Sequence, residues 1–359
     1  MILLNNRLKS VLCSNLLDYL LVTDSLNMYY LTGYQGRLGF CLISRLGKVY
    51  LCVPKHLKTQ ALRSDLNNYE YEVITYSTTV TLFNNTNIIP KGSILGFENN
   101  LPFYLFNLLK NISHIQLKNV SALIEGLRSI KSNQEQEHLI QASKIALNSL
   151  DSSLHNLTTE YTEIQLEAEL MSEIIKNGGD GFPFRFEVSS GNKTDLLHTR
   201  PSNKKIKNNQ ILLIDFGCIY KGYNVDIART YSVGNPPKEA DLLYELLYNL
   251  QQKIITKIKP NICIQDITSF ANDLFKSLKI EDKIFHDIGH GVGLSVHESP
   301  YLSPNSTETL QTGNVLNIEL GLHHPVFGGF RLEDMILINK HGNEPITRSN
   351  RRLLNILRR

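Results

Sequence analysis

The sequence predicts two domains, an α/β domain followed by a larger α+β domain with an internal repeat. Residues 17 to about 125 alternate short apolar runs with helix-like stretches, a pattern that favours strands and helices in turn. Beyond residue 131, two helix patterns precede paired strand patterns, and this order occurs twice. We place the boundary between residues 125 and 126, which gives domains of residues 1–125 and 126–359.

The predicted strands of the first domain are apolar runs bounded by turn residues. They lie at residues 18–22, 39–43 and 48–53. In the second domain, Ser132 with Glu135 and Thr162 with Gln165 have capping-box spacing, so each pair predicts the start of a helix.

The remaining elements of the second domain follow from apolar periodicity and from Gly and Pro punctuation. We predict strands near 185–190, 210–217 and 223–233, helices after Pro236-Pro237 to about 259 and at 264–279, and strands near 315–319 and 331–339. The basic tail 348–359 is predicted to be a solvated helix end.

Composition excludes several classes of function. The chain has 359 residues, and its 37 Lys and Arg against 34 Asp and Glu are too balanced to favour nucleic acid or an anionic membrane as partner. The five cysteines include no C-x-x-C pair, which argues against a disulfide framework and a thiolate metal site. Without a signal peptide or an apolar run of membrane-spanning length, we expect a cytoplasmic location.

Two acids interrupt an apolar hairpin pattern in the first round of the repeat. Asp215 lies in the outgoing strand and Asp226 in the returning strand. They would face each other directly if the chain turned between Tyr220 and Lys221, and diagonally if it turned at Lys221-Gly222. In both registers the carboxylates share a face, so a cation is expected between them.

The second half of the repeat shows the same pattern, an apolar hairpin with one acid in each strand. Glu319 and Glu333 each lie in an apolar strand, and the strands are joined through residues 322–329. The competing structural interpretation is that each acid pairs with a nearby base such as Arg229 or Arg331. Four acids on two hairpins favour a site over isolated ion pairs.

Three histidines occur within twelve residues between the two hairpins, at His286, His290 and His297. The glycines around His290 make a helix improbable, so these side chains are predicted on a loop or strand. Carboxylates with a neutral imidazole form an oxygen-rich set suited to two divalent ions, manganese first and cobalt or zinc as alternatives. Two such ions about 3.5–4 Å apart acidify a water and polarise a carbonyl.

The acids and the run Gly-His-Gly-Val-Gly-Leu-Ser-Val-His-Glu resemble the pita-bread metallopeptidases, the family of aminopeptidase P, prolidase and methionine aminopeptidase. The resemblance covers nearly the whole chain and implies a pita-bread catalytic domain with a pseudo-twofold repeat. The segment 27–34 resembles the opening of the creatinase-type N-terminal domain. The implied metal ligands are Asp215, Asp226, His290, Glu319 and Glu333.

The resemblance also assigns roles outside metal binding. It implies that Glu319 is the general base, that His297 stabilises the tetrahedral intermediate or positions the substrate, and that His198 lies beside the scissile peptide. It places His286 and Arg331 in the substrate pocket.

The implied reaction is hydrolysis of the peptide bond preceding proline, with a peptide whose second residue is proline as substrate. Some prolidases carry an arginine where this chain has Tyr301, so we expect aminopeptidase P activity first. The alternatives are a prolidase acting on Xaa-Pro dipeptides and a non-catalytic binding protein on the same fold. The resemblance further implies a homodimer.

Overall fold

The computed structural model describes residues 2–63, 69–85, 88–112, 114–120, 122–155, 157–235, 237–285, 287–348, 350 and 352–356. The chain forms two compact units, Met1–Arg128 and Ser129–Arg359. Within the described ranges, no helix has both the length and the apolar character needed to cross a lipid bilayer. The division between residues 125 and 126 remains a prediction.

The first unit is a mixed α/β structure. Its described helices are α1 (Ile2–Ser14), α2 (Ser25–Thr32), α3 (Lys58–Ala61), α4 (Thr79–Asn85), α5 (Phe103–Lys110) and α6 (Leu123–Arg128). Its described strands are β1 (Tyr19–Val22), β2 (Phe40–Ser44), β3 (Val49–Pro54), β4 (Tyr71–Tyr76), β5 (Ile94–Phe97) and β6 (Gln116–Asn119).

These six strands form one sheet in the order β4-β3-β2-β1-β5-β6. The central strands β1, β2 and β3 are antiparallel neighbours, and the outer strands add in parallel. The three strands predicted from sequence are these central ones, and they are apolar because they are buried: Leu20, Leu42 and Leu51 are fully inaccessible.

The second unit repeats one order of elements, two helices followed by a long hairpin. Its described helices are α7 (Asn133–His155), α8 (Glu163–Lys176), α9 (Lys238–Lys257) and α10 (Ile264–Leu278). Its described strands are β7 (Glu187–Ser190), β8 (Gln210–Tyr220), β9 (Tyr223–Val233), β10 (Ile284–Phe285), β11 (Gly289–Gly291), β12 (Glu298–Tyr301), β13 (Val315–His324), β14 (Gly328–Asn339) and β15 (Gly342–Pro345).

Both predicted capping boxes are present at the helix starts. Ser132 N–H donates to Glu135 Oε2 at 2.8 Å and Glu135 N–H donates back to the Ser132 hydroxyl at 3.4 Å. Thr162 and Gln165 make the same reciprocal pair ahead of α8. These bonds satisfy backbone donors that the first helical turn leaves unpaired.

The second unit contains two sheets. One has the order β7-β8-β9 and the other has the order β12-β11-β13-β14-β15, with β10 pairing beside β13. Helices α9 and α10 pack against the second sheet through a core that includes Leu247, Ile267, Leu316, Leu332 and Ile336. The hairpin β13–β14 is longer than predicted, because both strands continue into the segment expected to join them.

The prediction for the C-terminal tail is wrong within its described residues. Residues 352–356 contain no helix, and this segment runs beside β9 instead. Ser232 N–H donates to the Leu354 carbonyl at 2.9 Å, Ile356 N–H donates to the Ser232 carbonyl at 3.0 Å, and Leu353 is buried. The apolar residues between the arginines therefore pair with a strand, which a charge-based interpretation overlooked.

Candidate metal centre and active site

The hairpin β8–β9 places its two acids diagonally across the sheet. Tyr220 pairs with Tyr223, so Lys221 and Gly222 form the two-residue turn, with φ values of 48° and 80°. Positive φ at both turn positions matches the strand twist and explains why glycine occupies the second. Of the two registers left open by the sequence, the structure has the second.

Each acid of this hairpin has a defined cross-strand neighbour. Asp215 lies opposite Ala228, and Asp226 lies opposite Gly217. On its other side, Asp215 lies opposite Glu187 of β7. Like charges facing each other across a buried sheet are destabilising, so this arrangement requires a compensating charge.

The hairpin β13–β14 places its two acids directly opposite each other. Glu319 pairs with Glu333 in the antiparallel register. Asn317 Nδ2 donates to Glu333 Oε2 at 3.1 Å, which fixes the orientation of that carboxylate. The four acids therefore belong to two hairpins of the repeat.

Side-chain to backbone hydrogen bonds join the two hairpins. Thr230 Oγ1 donates to the Arg331 carbonyl at 3.0 Å and accepts from the Arg331 N–H at 2.9 Å. Arg229 Nη1 donates to the Glu333 carbonyl. As a result, Asp215, Asp226 and Glu333 have carboxylate oxygens within 4.8 Å of one another, close enough to share a metal ion.

His290 completes the cluster from strand β11. Its Nε2 lies 3.7 Å from Asp226 Oδ2, and its Nδ1 lies 3.1 Å from the Gly291 carbonyl oxygen. Burial, and then neighbouring His297, lower the pKa of His290 to about 4, so the ring is neutral at pH 7. In the neutral tautomer whose Nδ1–H donates to the Gly291 carbonyl, Nε2 carries a lone pair on the side of the Asp226 carboxylate. Histidines that bind metals commonly have this arrangement, with one ring nitrogen donating to the protein and the other free to bind the ion.

Burial dominates the electrostatics of the four acids. It raises the pKa of Asp215 and Asp226 well above the usual range, and the neighbouring carboxylates add to the effect. Burial and the next nearest acids raise the pKa of Glu319 to about 7 and that of Glu333 to about 8. The cluster therefore resists carrying its full negative charge unless positive charge is supplied.

Arg331 supplies part of that positive charge from beneath the cluster. Its Nη1 donates to Asp215 Oδ2 at 2.5 Å and to Glu187 Oε2 at 3.1 Å. Arg331 is 1% exposed and is absent from the residues that line the cavity. The facing acids Asp215 and Glu187 hold the guanidinium in the interior, and the pocket position implied by the resemblance stays a prediction.

The donor set fits divalent cations. Within the described part of the chain, Asp215 Oδ1 and His290 Nε2 are buried and make no hydrogen bond. Unpartnered buried acceptors are costly, and oxygen-rich sites with one imidazole suit divalent metals. A metal would satisfy both atoms and balance the acids that Arg331 leaves uncompensated.

The five predicted ligands line a single cavity of about 680 Å³ together with both His198 and His297. The His297 ring centroid is 4.1 Å from that of His290, and its nitrogen groups with Asp226 and His290 in a second potential metal site. Burial and the charge of His198 lower the pKa of His297. His286 lies outside the described residues, so its predicted position stays a prediction.

The rest of the cavity wall is mainly apolar, with two arginines, Thr199 and the further acids Glu187 and Asp287. Its apolar and aromatic residues are Pro183, Phe184, Phe186, Val296, Tyr301 and Leu302. Its arginines are Arg185 and Arg200. An acidic floor under an apolar wall suits a small peptide with a compact apolar residue.

Sequence reasoning missed two residues that support the site. Glu187 was overlooked although an acid within the buried strand Glu187–Ser190 is the same signal that drew attention to Asp215. Lys131 pairs with Glu298 at 2.9 Å, both side chains being almost completely buried. Glu298 directly follows His297 and accepts from the Ser295 N–H, so this pair fixes the loop that carries the histidine.

The chain matches two family profiles along most of its length. Residues 137–340 match metallopeptidase family M24, and residues 6–130 match the creatinase/prolidase N-terminal domain. An Xaa-Pro dipeptidase from Pyrococcus horikoshii is 29% identical over 98% of this chain and 99% of that protein. An uncharacterized peptidase, YqhT of Bacillus subtilis, is 31% identical over 94% of this chain and 96% of its own length.

Comparison with a solved structure also shows similarity along the whole chain. The Xaa-Pro dipeptidase from Bacillus anthracis superposes with a TM-score of 0.90 and 28% identity, covering 99% of each chain. The similarity therefore extends over both units and is not confined to the segments that carry the candidate ligands.

Proposed function

The chain belongs to metallopeptidase family M24, and from that premise we propose that it is an Xaa-Pro dipeptidase that uses two divalent metal ions. The observation that carries the proposal is the convergence of four acids and one neutral imidazole on one cavity floor. Family membership makes the chain a metallo-exopeptidase that depends on divalent metal. The dinuclear site, the choice of manganese and the dipeptide substrate are our proposal.

The substrate preference differs from the one first expected from sequence. Tyr301 favoured an aminopeptidase P, but the relatives that match this chain from end to end include Xaa-Pro dipeptidases. A cavity of about 680 Å³ with a largely apolar wall also accommodates a dipeptide. We therefore prefer the dipeptidase over the aminopeptidase.

We assign the metal ligands to Asp215, Asp226, His290, Glu319 and Glu333. When bound, a pair of divalent ions would polarise the scissile carbonyl and lower the pKa of a water. All five residues line the cavity, and Glu319 is among those that remain partly accessible.

Glu319 is suited to moving a proton. Burial and nearby acids raise the pKa of this carboxyl to about 7. A carboxylate that lines the cavity beside the reacting atoms can accept a proton from the attacking water and return it to the leaving proline nitrogen. We therefore assign Glu319 as general base and then general acid.

The two cavity histidines are suited to binding oxygen atoms of the substrate. His297 is held mainly neutral, because burial lowers its pKa. A neutral imidazole can donate one N–H to the carbonyl oxygen as negative charge develops there. His198 lines the same cavity on a different segment, which supports its assignment beside the scissile peptide.

The experiment that tests this function measures hydrolysis of Ala-Pro and Ala-Pro-Ala after metal removal and reconstitution with manganese, cobalt or zinc. We expect activity only with metal and a higher kcat/KM for the dipeptide. A preference for the tripeptide would support aminopeptidase P instead. Absence of hydrolysis with every metal would support a binding protein.

A further inference from the structure

Two arginines line the acidic cavity, and they are in different environments. Arg185 Nε donates to Glu167 Oε1 at 3.4 Å, so its charge is partly compensated within the protein. The side chain of Arg200 is exposed to the cavity, and among the described residues no carboxylate pairs with its guanidinium. Arg200 is therefore the cavity arginine whose charge is open to a ligand.

The backbone from the Arg200 carbonyl to Ser202 is anchored to a buried acid, Glu163, directly at Ser202 and through Lys193 at Arg200. Lys193 Nζ donates to the Arg200 carbonyl at 2.7 Å and to Glu163 Oε2. Ser202 donates its N–H and its hydroxyl to the same Glu163 oxygen, at 3.2 and 2.8 Å. Glu163 itself is completely buried.

This anchoring matters for recognition. A backbone that is already fixed loses little freedom when a ligand binds, so more of the interaction energy is expressed as affinity. The loop therefore presents Arg200 from a defined position, on the same segment that carries His198.

We propose that Arg200 binds the free C-terminal carboxylate of the dipeptide, an inference that rests on the proposed function. A dipeptide whose scissile carbonyl lies at the acidic floor carries its carboxylate only one residue away. A guanidinium binds a carboxylate through two parallel N–H donors, and Arg200 is a cationic side chain of the cavity that no carboxylate of the described residues pairs with. Arg200 thereby selects dipeptides over longer chains, in which an amide replaces the carboxylate.

The test compares the dipeptide Ala-Pro with Ala-Pro-amide, which differs only in lacking the terminal charge. We expect the manganese-loaded parent to prefer the free acid. In Arg200→Gln, KM for Ala-Pro should rise about 10- to 100-fold with little change in kcat, while the amide is cleaved as by the parent. Arg200→Lys should recover part of the loss, because it restores the charge without the planar fork.

Arg185→Gln is the matched control, since it removes the other cavity arginine. It should keep the preference for the free acid. The proposal is overturned if Arg200→Gln keeps that preference, or if Arg185→Gln abolishes it. If the parent cleaves Ala-Pro and Ala-Pro-amide equally well, the role of Arg200 is wrong but the proposed Xaa-Pro hydrolysis stands. If the parent cleaves neither compound, the proposed function is wrong as well.

Inhibition by products gives a second measurement, which does not require the variants to cleave Ala-Pro. Proline should inhibit the parent more strongly than prolinamide when a slowly cleaved Xaa-Pro-amide is the reporter. The difference should disappear in Arg200→Gln and persist in Arg185→Gln. Equal inhibition of the parent by both products contradicts the proposal.

Discussion

Buried acids of the second unit occur in two electrostatic settings. Asp334 and Glu298 each face a buried cation: Arg229 lies 2.8 Å from Asp334, and Lys131 lies 2.9 Å from Glu298. The acids of the cavity floor mostly face one another, and burial raises their pKa values. The first kind of site is electrostatically complete in the protein, whereas in our proposal the second is completed by added metal.

The contrast separates structural ions from catalytic ones. A buried ion pair holds the fold in one arrangement, and removing one partner leaves an uncompensated charge. A surplus of buried acid instead costs stability in the metal-free protein and gives affinity for cations in return. Variants in the two settings should consequently fail in different ways.

The largest effect is expected for turnover in Glu319→Gln. Loss of the general base should lower kcat by about 10³- to 10⁴-fold. The measurement is kcat on Ala-Pro at saturating manganese, with metal content determined in parallel. The exposed Glu308 provides a control, since Glu308→Gln should behave as the parent. Near-parental turnover of Glu319→Gln would show that another group moves the proton.

Breaking a completed pair should affect stability instead of chemistry. Lys131→Met leaves Glu298 charged and buried, which we expect to cost about 3–5 kcal/mol in the free energy of unfolding. The urea midpoint followed by tyrosine fluorescence measures this, and manganese stoichiometry should not change. Adding Glu298→Leu should recover much of the loss, because two apolar side chains leave no unpaired charge.

If Lys131→Met unfolds at the parental midpoint, the pair is not holding the loop. If Lys131→Met loses manganese at urea concentrations where it is still folded, the distinction between the ion-paired acids and the acids of the cavity floor is wrong.

His297→Ala tests whether this histidine acts on the substrate or binds metal. We expect kcat to fall about 100-fold with metal content unchanged, since the assigned role is to donate to the developing oxyanion. His155→Ala at the exposed end of α7 serves as control. Parallel loss of metal and turnover would instead make His297 a ligand together with Asp226 and His290, the second grouping that the geometry allows.

The smallest effect concerns pH and the metal-free protein. The folded-state pKa values of Glu319 and Glu333 are raised to about 7 and 8, so the stability that these groups contribute is complete at low pH and is lost as pH rises through those values. His290, whose pKa is lowered, is almost entirely neutral in both states only above about pH 7.5, so its opposing slope has faded by that pH.

The thermal midpoint of metal-free protein should therefore fall by a few degrees between about pH 6.5 and 8.5. Saturating manganese should remove the decline, and Glu333→Gln should reduce it. An unchanged midpoint in the metal-free parent would mean that the acids are already compensated by the protein.

Much of the fold and most of the candidate site could be predicted from sequence, because their signals are local. The strands around Leu20 and Leu42 are continuous apolar runs, and the capping boxes at Ser132 and Thr162 span four residues each. Acids inside apolar strands are equally visible, which is why Asp215 and its counterparts could be named in advance.

What could not be predicted depends on contacts between distant segments. The turn Tyr-Lys-Gly allows two registers, and the backbone at Lys221 decides between them. The orientation of Arg331 follows from Glu187, which lies 144 residues away in sequence. Lys131 and Glu298 give no local sign of pairing, because each looks like an ordinary surface charge until both are buried.

The bond between Arg229 and the Glu333 carbonyl spans 104 residues of chain. A polypeptide emerging from the ribosome presents the first acidic hairpin long before the second exists, so no nascent fragment that ends between them carries the full donor set. The order of synthesis thus delays hydrolytic competence until the catalytic unit is almost entirely made, and an N-terminal degradation product that stops short of residue 319 would be inert toward peptides.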